Sequence, residues 1–193
     1  TDIKFSFEAL SMDGDAVKEL MDFGVVGFGL GVSSFQQASF KNASFTQANI
    51  EKTNTLKADF TAAKFVATRF DTCEMSESHF VDTNILDSIF LDSDLSKATF
   101  TGATLNGAVF RNTRLDEVDF SQANLTAVIF ESVDFSQMKR LPHNLIACQF
   151  INCEMAGVDL TACDLTDAVF VGSDLKHTSF NKADLSRTQF INC

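Results

Sequence analysis

The sequence repeats with a period of five residues over most of its length. From Phe35 to Phe190, the residue at every multiple of five is Phe, Leu, Ile or Met, with only Thr55 and Arg140 departing from this rule. Two places before each centre stands a small residue, which is Ala, Ser, Thr, Cys or Val at all positions except Met138 and His143. A helix needs apolar spacings of three and four, and a simple strand needs strict alternation. A period of five instead indicates a short extended step followed by a turn, which bends the chain around a closed path when repeated.

The repeat has a recognisable internal pattern of Ala, then Asp or Asn, then Leu or Phe. Its clearest copies are Ala58-Asp59-Phe60, Ala123-Asn124-Leu125 and Ala183-Asp184-Leu185. This pattern resembles the pentapeptide-repeat family over residues 33–193, without a slip in register. The resemblance implies an all-β fold, a right-handed four-sided β-helix with four repeats on each square coil.

The sequence supports a coil of four repeats independently of that resemblance, because similar residues recur at every fourth centre. We call a set of centres spaced 20 residues apart a column. In one column Phe gives way to Leu along the chain, and in another almost every residue is Phe. The first is Phe45, Phe65, Ile85, Leu105, Leu125, Leu145, Leu165 and Leu185, and the second is Ile50, Phe70, Phe90, Phe110, Phe130, Phe150, Phe170 and Phe190. Coils stacked about 4.8 Å apart would bring like side chains into ladders, and eight coils would form a rod about 40 Å long.

We expect two segments, a cap over residues 1–32 and the β-helix over residues 33–193. Within the cap, Asp13 to Asp22 has the pattern of a short helix, with Ser11 or Asp13 as N-cap and Gly24 just past its end. A solenoid needs such a cap because an open end exposes its core. The other end stops within a repeat at Cys193, so we expect the chain to continue or another subunit to cover it.

One segment interrupts the repeat without changing its register. Residues 136–144 replace an apolar centre with Arg140 and contain the sole proline, Pro142, yet Leu145 resumes the pattern. We predict a local bulge with Arg140 pointing outward. The irregular corner, Lys139, Arg140, Pro142 and His143, is either a tolerated irregularity or a contact for a partner.

Charge and cysteine usage narrow the class of partner and the compartment. The net charge of −11 and isoelectric point near 4.5 argue against direct binding to nucleic acid or to an anionic membrane. The longest apolar stretch, Phe23 to Val32, is too short to span a bilayer. Five cysteines without a Cys-x-x-Cys pair indicate a reducing compartment, so we expect a cytoplasmic protein, with export after removal of a leader left open.

We expect neither catalysis nor a cofactor. The three histidines, His79, His143 and His177, fall in different columns, which disfavours a metal site. No nucleophile elbow, phosphate loop or zinc-helix motif is present in the sequence. The cysteines occupy the small inward position, which predicts buried, unreactive thiols at Cys73, Cys148, Cys153, Cys163 and Cys193.

Two outward-facing columns are candidate binding surfaces. The first is apolar, and we predict an interface there, in its simplest form self-association; the alternative is that β-branched residues merely favour extended walls. Its residues are Ile89, Leu91, Val109, Ile129, Ile151, Val169, Val171 and Ile191. The second is an acidic stripe interrupted by Arg114, which the turn-capping preference of Asp and Asn would also explain. Its residues are Glu74, Asp94, Asp134, Glu154 and Asp174.

The function expected from these features is that of a non-catalytic protein-interaction scaffold. The family resemblance adds an alternative, since some members resemble DNA and occupy the DNA-binding saddle of type II topoisomerases such as DNA gyrase, conferring quinolone or toxin resistance. Duplex DNA carries about one charge per 1.7 Å, whereas −11 spread over the predicted rod is about one per 3.6 Å. The chain is therefore a partial mimic of DNA at most.

Overall fold

The computed structural model describes residues 6–8, 29–31, 33–138 and 141–193, and these form a parallel β-solenoid of about seven turns. The predicted β-helix is confirmed. No helix is present in these residues. The predicted helix from Asp13 to Asp22 lies outside them, as do Lys139 and Arg140 of the irregular corner.

Within the described residues, thirteen three-residue strands build two parallel sheets. The first sheet has ten strands in the order β1-β2-β4-β6-β8-β9-β10-β11-β12-β13, and the second has three in the order β3-β5-β7. From β2 onward each strand pairs with the strand four repeats further along the chain, as the predicted coil requires. The strands are β1 Ser6–Glu8, β2 Gly29–Gly31, β3 Ser44–Thr46, β4 Asn49–Glu51, β5 Lys64–Val66, β6 Arg69–Asp71, β7 Asn84–Leu86, β8 Ile89–Leu91, β9 Val109–Arg111, β10 Ile129–Glu131, β11 Gln149–Ile151, β12 Val169–Val171 and β13 Gln189–Ile191.

We name the four walls of the solenoid by the inward residues of one coil, Leu105, Phe110, Leu115 and Phe120. The ten-stranded sheet forms the Phe110 wall, and β3, β5 and β7 belong to the Leu105 wall. The other two walls are held by isolated parallel bridges, which again join positions four repeats apart. Two strands, β1 and β2, continue the Phe110 wall into the segment assigned from sequence to the cap.

The residues at multiples of five form most of the core, as predicted, together with the small residues two places before them. Phe110 and Phe130 are fully buried, and like rings stack from coil to coil. The Phe90 ring lies 4.9 Å from that of Phe110 at an interplanar angle of 3°, while rings on different walls meet edge to face. Such aromatic pairs contribute about 0.5–1.5 kcal/mol beyond their buried area. The last coil differs, since Phe190 stacks on Phe170 but remains 45% exposed.

The corners are tight turns with a left-handed residue two places after almost every centre. In the first of them, the Ala38 N–H donates to the Phe35 carbonyl at 3.1 Å and Gln37 has a φ of 59°. A side chain just before the centre often caps the turn. Asp59, for example, accepts a hydrogen bond from the Thr61 N–H at 3.0 Å.

Pro142 explains why the repeat changes at the irregular corner. It occupies the turn position at which Gln122 and Ala162, one coil before and one coil after, have φ values of 59° and 58°. A proline ring fixes φ at about −65°. The left-handed turn therefore cannot form at this corner. Leu141 supplies the buried side chain at 1% exposure, one residue later than the centre assigned from sequence to Arg140, and the regular pattern resumes at Leu145.

Thr55, the other departure from the repeat, is predicted to be a local source of instability. Its side chain is buried at 4% exposure, and its hydroxyl oxygen has no hydrogen-bond partner. Thr55→Val removes that unsatisfied group and should raise the free energy of unfolding by about 1 kcal/mol, measured by urea denaturation.

The matched control is Thr53→Val on the same coil. Thr53 is also buried, at 1% exposure, but its hydroxyl donates to the Glu51 carbonyl at 3.0 Å. This variant should lose stability by about 1 kcal/mol. Equal effects of the two substitutions would contradict the assignment of Thr55 as the unsatisfied group.

Candidate functional site

The apolar residues selected from sequence lie on the outer surface of the Phe110 wall. They form two parallel ladders, one on each side of the phenylalanine stack. The first ladder runs Ile89, Val109, Ile129, Gln149, Val169 and Gln189, and the second runs Leu91, Arg111, Glu131, Ile151, Val171 and Ile191. Their apolar side chains are half-buried, except that of Ile191, which is 42% exposed. We call these two ladders the apolar wall.

An ion pair divides the apolar wall into two patches. The Arg111 Nε lies 2.6 Å from Glu131 Oε2, and both side chains are partly exposed on adjacent strands. One patch contains Ile89, Leu91, Val109 and Ile129, and the other contains Ile151, Val169, Val171 and Ile191. The wall is therefore apolar at both ends and charged near its middle.

The acidic stripe lies on the Leu115 wall and falls into two segments. Backbone bridges join Glu74 to Asp94 and Asp94 to Arg114, then Asp134 to Glu154 and Glu154 to Asp174. Between Arg114 and Asp134 the described residues form no bridge. Arg114 also partly neutralises the first segment, since Asp94 is 3.7 Å from its guanidinium and Asp116 is 2.6 Å from it.

Turn capping accounts for the three aspartates of the stripe. Asp94, Asp134 and Asp174 accept hydrogen bonds from the N–H groups two residues later, at 2.8, 2.7 and 2.9 Å. The two glutamates cap no turn. Glu74 accepts from the Asn54 amide at 2.6 Å, and Glu154 has no side-chain partner among the described residues. The aspartates thus have a structural role, while all five carboxylates remain on the outer surface.

Pro142 and His143 of the irregular corner border a cleft that sequence analysis did not identify. We define the cleft as the opening between an upper lip, residues 113–125, and a lower lip, residues 134–138 and 141–144. Its larger part has a volume of about 630 Å³, with Phe120 and Ala123 on one side and Leu141, Pro142 and His143 on the other. A smaller part of about 320 Å³ lies beside Arg114, Asp116 and Asp134. The only sequence signal for this cleft is that Arg140 and Pro142 both occur in the segment that interrupts the repeat.

Backbone pairing between the two lips is interrupted. On the preceding pair of coils, Leu95 N–H donates to the Arg114 carbonyl at 2.9 Å and Lys97 N–H to the Asp116 carbonyl at 2.8 Å. The equivalent donors of the upper lip, Leu115 and Glu117 N–H, have no partner within the described part of the chain. The Phe110 wall stays paired, because β9 and β10 remain in register.

The family model of the pentapeptide repeat region matches residues 33–110, 63–139 and 143–193. The chain belongs to the pentapeptide-repeat family. The matches leave out residues 140–142, where the structure has its irregular corner. No curated protein matches the chain in sequence.

Solved structures of other pentapeptide-repeat proteins share this fold. The protein Rfr23 from the cyanobacterium Cyanothece 51142 is 17% identical, with a TM-score of 0.53 over 55% of this chain and 86% of that one. QnrB1, a plasmid-mediated fluoroquinolone resistance protein, is also 17% identical, with a TM-score of 0.53 over 86% of this chain and 84% of its own. At this identity the likeness shows the fold alone.

Four of the five cysteines of this pentapeptide-repeat protein are buried, as predicted. Burial raises the pKa of the Cys73 and Cys153 thiols to about 11 and that of Cys148 to about 12, and Cys163 is buried as well. The prediction was wrong for Cys193, which is exposed because the described chain places no further coil against it.

The described residues hold no group of three or more His, Cys, Asp or Glu side chains arranged to bind a metal ion. His79, His143 and His177 lie on different coils and in different columns. None of the described residues belongs to a helix with the length and hydropathy that a membrane span requires.

Thiol reactivity should separate Cys193 from the other cysteines. The thiolate is the reactive species, and a pKa of about 11 or 12 leaves almost none of it at pH 8. Ellman's reagent should therefore modify one thiol per chain in the native protein and all five in urea. Fast modification of a second thiol in the native state, located by mass spectrometry, would contradict this burial pattern.

Proposed function

We propose that this protein is a non-catalytic protein-interaction scaffold, and that the apolar wall is its contact surface. The observation that carries the proposal is the ten-stranded sheet behind that wall, which pairs strand to strand from β1 to β13. Among the described residues, the Leu105 and Leu115 walls lack this continuity, because no bridge joins residues 124 and 144 or residues 114 and 134. The Phe110 wall therefore offers a partner a rigid surface along the solenoid.

The chemistry of the apolar wall favours a protein partner. Two patches of branched aliphatic side chains flank the Arg111–Glu131 ion pair, so that apolar area is combined with charges that fix orientation. Contiguous apolar patches on a protein surface mark interaction sites. A second copy of the chain is the simplest partner, since Arg111 of one copy can face Glu131 of the other when the two solenoids lie antiparallel.

Sedimentation velocity tests the apolar wall. Ile129→Lys combined with Val169→Lys places one charge in each patch, and burying an unpaired ammonium at an interface is strongly unfavourable. We expect the wild type to self-associate and the double variant to sediment as a monomer, with an unchanged circular dichroism spectrum because both side chains point outward.

The control for this experiment carries the same two lysines elsewhere. His79→Lys with Ala156→Lys adds positive charge at exposed positions outside the Phe110 wall. This variant should associate like the wild type. A wild type that stays monomeric at high concentration would contradict self-association, and capture experiments with the same variants would then test a different protein partner.

A second candidate function is binding to DNA gyrase as a partial DNA mimic. Two observations favour it: the net charge of −11 and the exposed carboxylates of Asp134, Glu154 and Asp174 in one column. The shared fold with the fluoroquinolone resistance protein QnrB1 agrees with this candidate. It also requires a cytoplasmic location, in line with the reducing compartment expected from the cysteines.

A supercoiling assay with gyrase, with and without a quinolone, tests the second candidate. We expect inhibition or protection at micromolar protein that weakens as salt is raised, because exposed charges are screened. Asp134→Asn, Glu154→Gln and Asp174→Asn together should abolish the effect. The two asparagines retain an oxygen that caps the turn, so the fold should be preserved.

The matched control removes three carboxylates from other columns. Asp159→Asn, Asp164→Asn and Asp184→Asn replace aspartates that cap turns in the same way. If the acidic stripe is the contact, this variant retains most of the effect. Absence of any effect of the wild-type protein at every salt concentration would eliminate gyrase as the partner.

A further inference from the structure

The apolar wall has a fixed period, and this period limits what can pack along it. The phenylalanine rings directly behind the wall repeat from coil to coil, at 4.7 Å between Phe70 and Phe90 and at 4.9 Å between Phe90 and Phe110. Neighbouring strands of a β-sheet have this spacing, whereas an α-helix repeats about every 5.4 Å. A helix would therefore drift by about 0.6 Å per coil, while a second sheet would stay in step along the whole wall.

The ion pair in the middle of the wall selects how such a sheet would lie. Arg111 and Glu131 are neighbours in one ladder, with 2.6 Å between Arg111 Nε and Glu131 Oε2. A second copy of the chain, turned antiparallel about a two-fold axis midway between β9 and β10, would place its own Glu131 opposite Arg111 and its own Arg111 opposite Glu131. The four side chains would form a ring of alternating charge, and the two-fold axis makes this ring self-complementary.

We propose that the occupant of the apolar wall is a second copy of this chain, held antiparallel in the one register that places β9 of each copy opposite β10 of the other. This inference rests on the proposed function, in which the apolar wall is the contact surface, and it adds the partner and the register. Apolar side chains continue the contact on both sides of the charged ring. Val109 faces Ile129 of the second copy, and Leu91 faces Ile151 of the second copy.

Neighbouring registers bring like charges together. If the second copy slides by one coil in one direction, Arg111 lies opposite Arg111 of that copy, and if it slides in the other direction, Glu131 lies opposite Glu131. A parallel arrangement brings Asp87 of one copy against Asp92 of the other, because these exposed corner residues flank β8 on either side. Like charges placed opposite each other disfavour a complex. The antiparallel register centred between β9 and β10 avoids all three clashes.

The corners beside the wall agree with this register. Asp87 and Asp92 would face the corner residues that flank β11 of the second copy, which are Ala147 and Asn152. At the other described corners beside the wall, each charged residue likewise faces an uncharged one. The rim of the contact is therefore free of like-charge pairs in the same register in which the ion pairs meet.

The size of the contact predicts a weak complex. The strands of the wall are three residues long, about 10 Å, and the eight that would face each other, β4, β6 and β8 to β13, extend over about 38 Å. A flat area of about 400 Å² per copy is about half that of a standard interface. Self-association is therefore measured at protein concentrations up to about 1 mM, the weak end of specific binding.

Exchange of the two charges tests the register. Arg111→Glu and Glu131→Arg each place like charges side by side within a copy and opposite each other across the contact, so each alone should weaken self-association at least about tenfold. The double variant restores opposite charges in both places, and it should self-associate like the wild type. Wild type and double variant should not bind each other, because every ion pair across their contact would be replaced by two like charges.

The matched control exchanges an ion pair elsewhere on the solenoid. Lys57 and Glu77 lie on adjacent coils outside the Phe110 wall, with 3.4 Å between Lys57 Nζ and Glu77 Oε2. Lys57→Glu combined with Glu77→Lys should self-associate like the wild type and should also bind the wild type. All variants should keep the circular dichroism spectrum of the wild type, because the exchanged side chains lie on the outer surface.

Cys193 can report both mixing and register, since it is exposed whereas the other four cysteines are buried. With donor and acceptor dyes on Cys193 in separate pools, energy transfer should appear within the wild type and within the double variant but not between the two. With a nitroxide on Cys193, pulsed electron paramagnetic resonance should give about 35 Å between the two labels, because the antiparallel register separates them by about seven coils. A parallel pair would bring them within about 20 Å.

Three results would overturn the inference. These are a wild type that stays monomeric at about 1 mM, energy transfer between wild type and double variant as strong as within either, and a distance between the labels that corresponds to the parallel pair. The scaffold proposal fails differently, when Ile129→Lys with Val169→Lys changes neither self-association nor capture of a partner. Self-association that those lysines abolish, but that mixes wild type and double variant freely, would retain the apolar wall and reject the register.

Discussion

The structure depends on one relation, the pairing of each repeat with the fourth repeat after it. Backbone groups of adjacent coils bond in this register, as in the bond of 2.7 Å from Phe35 N–H to the Asn54 carbonyl. The same register places like side chains on each other, so the rings of Phe70 and Phe90 stack at 4.7 Å. Neither contact forms within a single coil, and this makes the fold a cooperative stack in which each coil needs its neighbours.

The pairing between coils also holds the turn residues at the corners in strained backbone conformations. Residues other than glycine occupy left-handed conformations at almost every turn, for example Thr72 with a φ of 55°, at a cost of about 1–2 kcal/mol each. The strain persists because most turn residues donate to the next coil, as Thr72 N–H does to the Leu91 carbonyl at 2.9 Å. Proline can neither adopt this φ nor donate, so one Pro142 is sufficient to change the coil that contains it.

The sequence predicts which residues face inward but not whether adjacent coils pair. The period of five identified the core, including the ladder through Phe110, and the small inward position identified four buried cysteines. It did not predict that Leu141, one residue past the expected centre, would be buried in the core, because its burial depends on the φ required at Pro142. It also did not predict the Arg111–Glu131 ion pair, since a charged pair on the outer surface leaves the inward pattern unchanged. The cleft exists because hydrogen bonds between two coils are missing. Apart from Arg140 and Pro142, nothing in the sequence indicates that these bonds are absent.

The position of the cleft relative to the apolar wall gives the solenoid two kinds of surface. A closed β-helix has no free edges between its coils, so it can present only side chains to a partner. Between the two coils beside the cleft the described residues form no bridge on the Leu105 and Leu115 walls, while the Phe110 wall stays paired, so this chain exposes backbone groups and still retains a continuous sheet. The cost is limited, because the unpaired groups of an open cleft can bond to water.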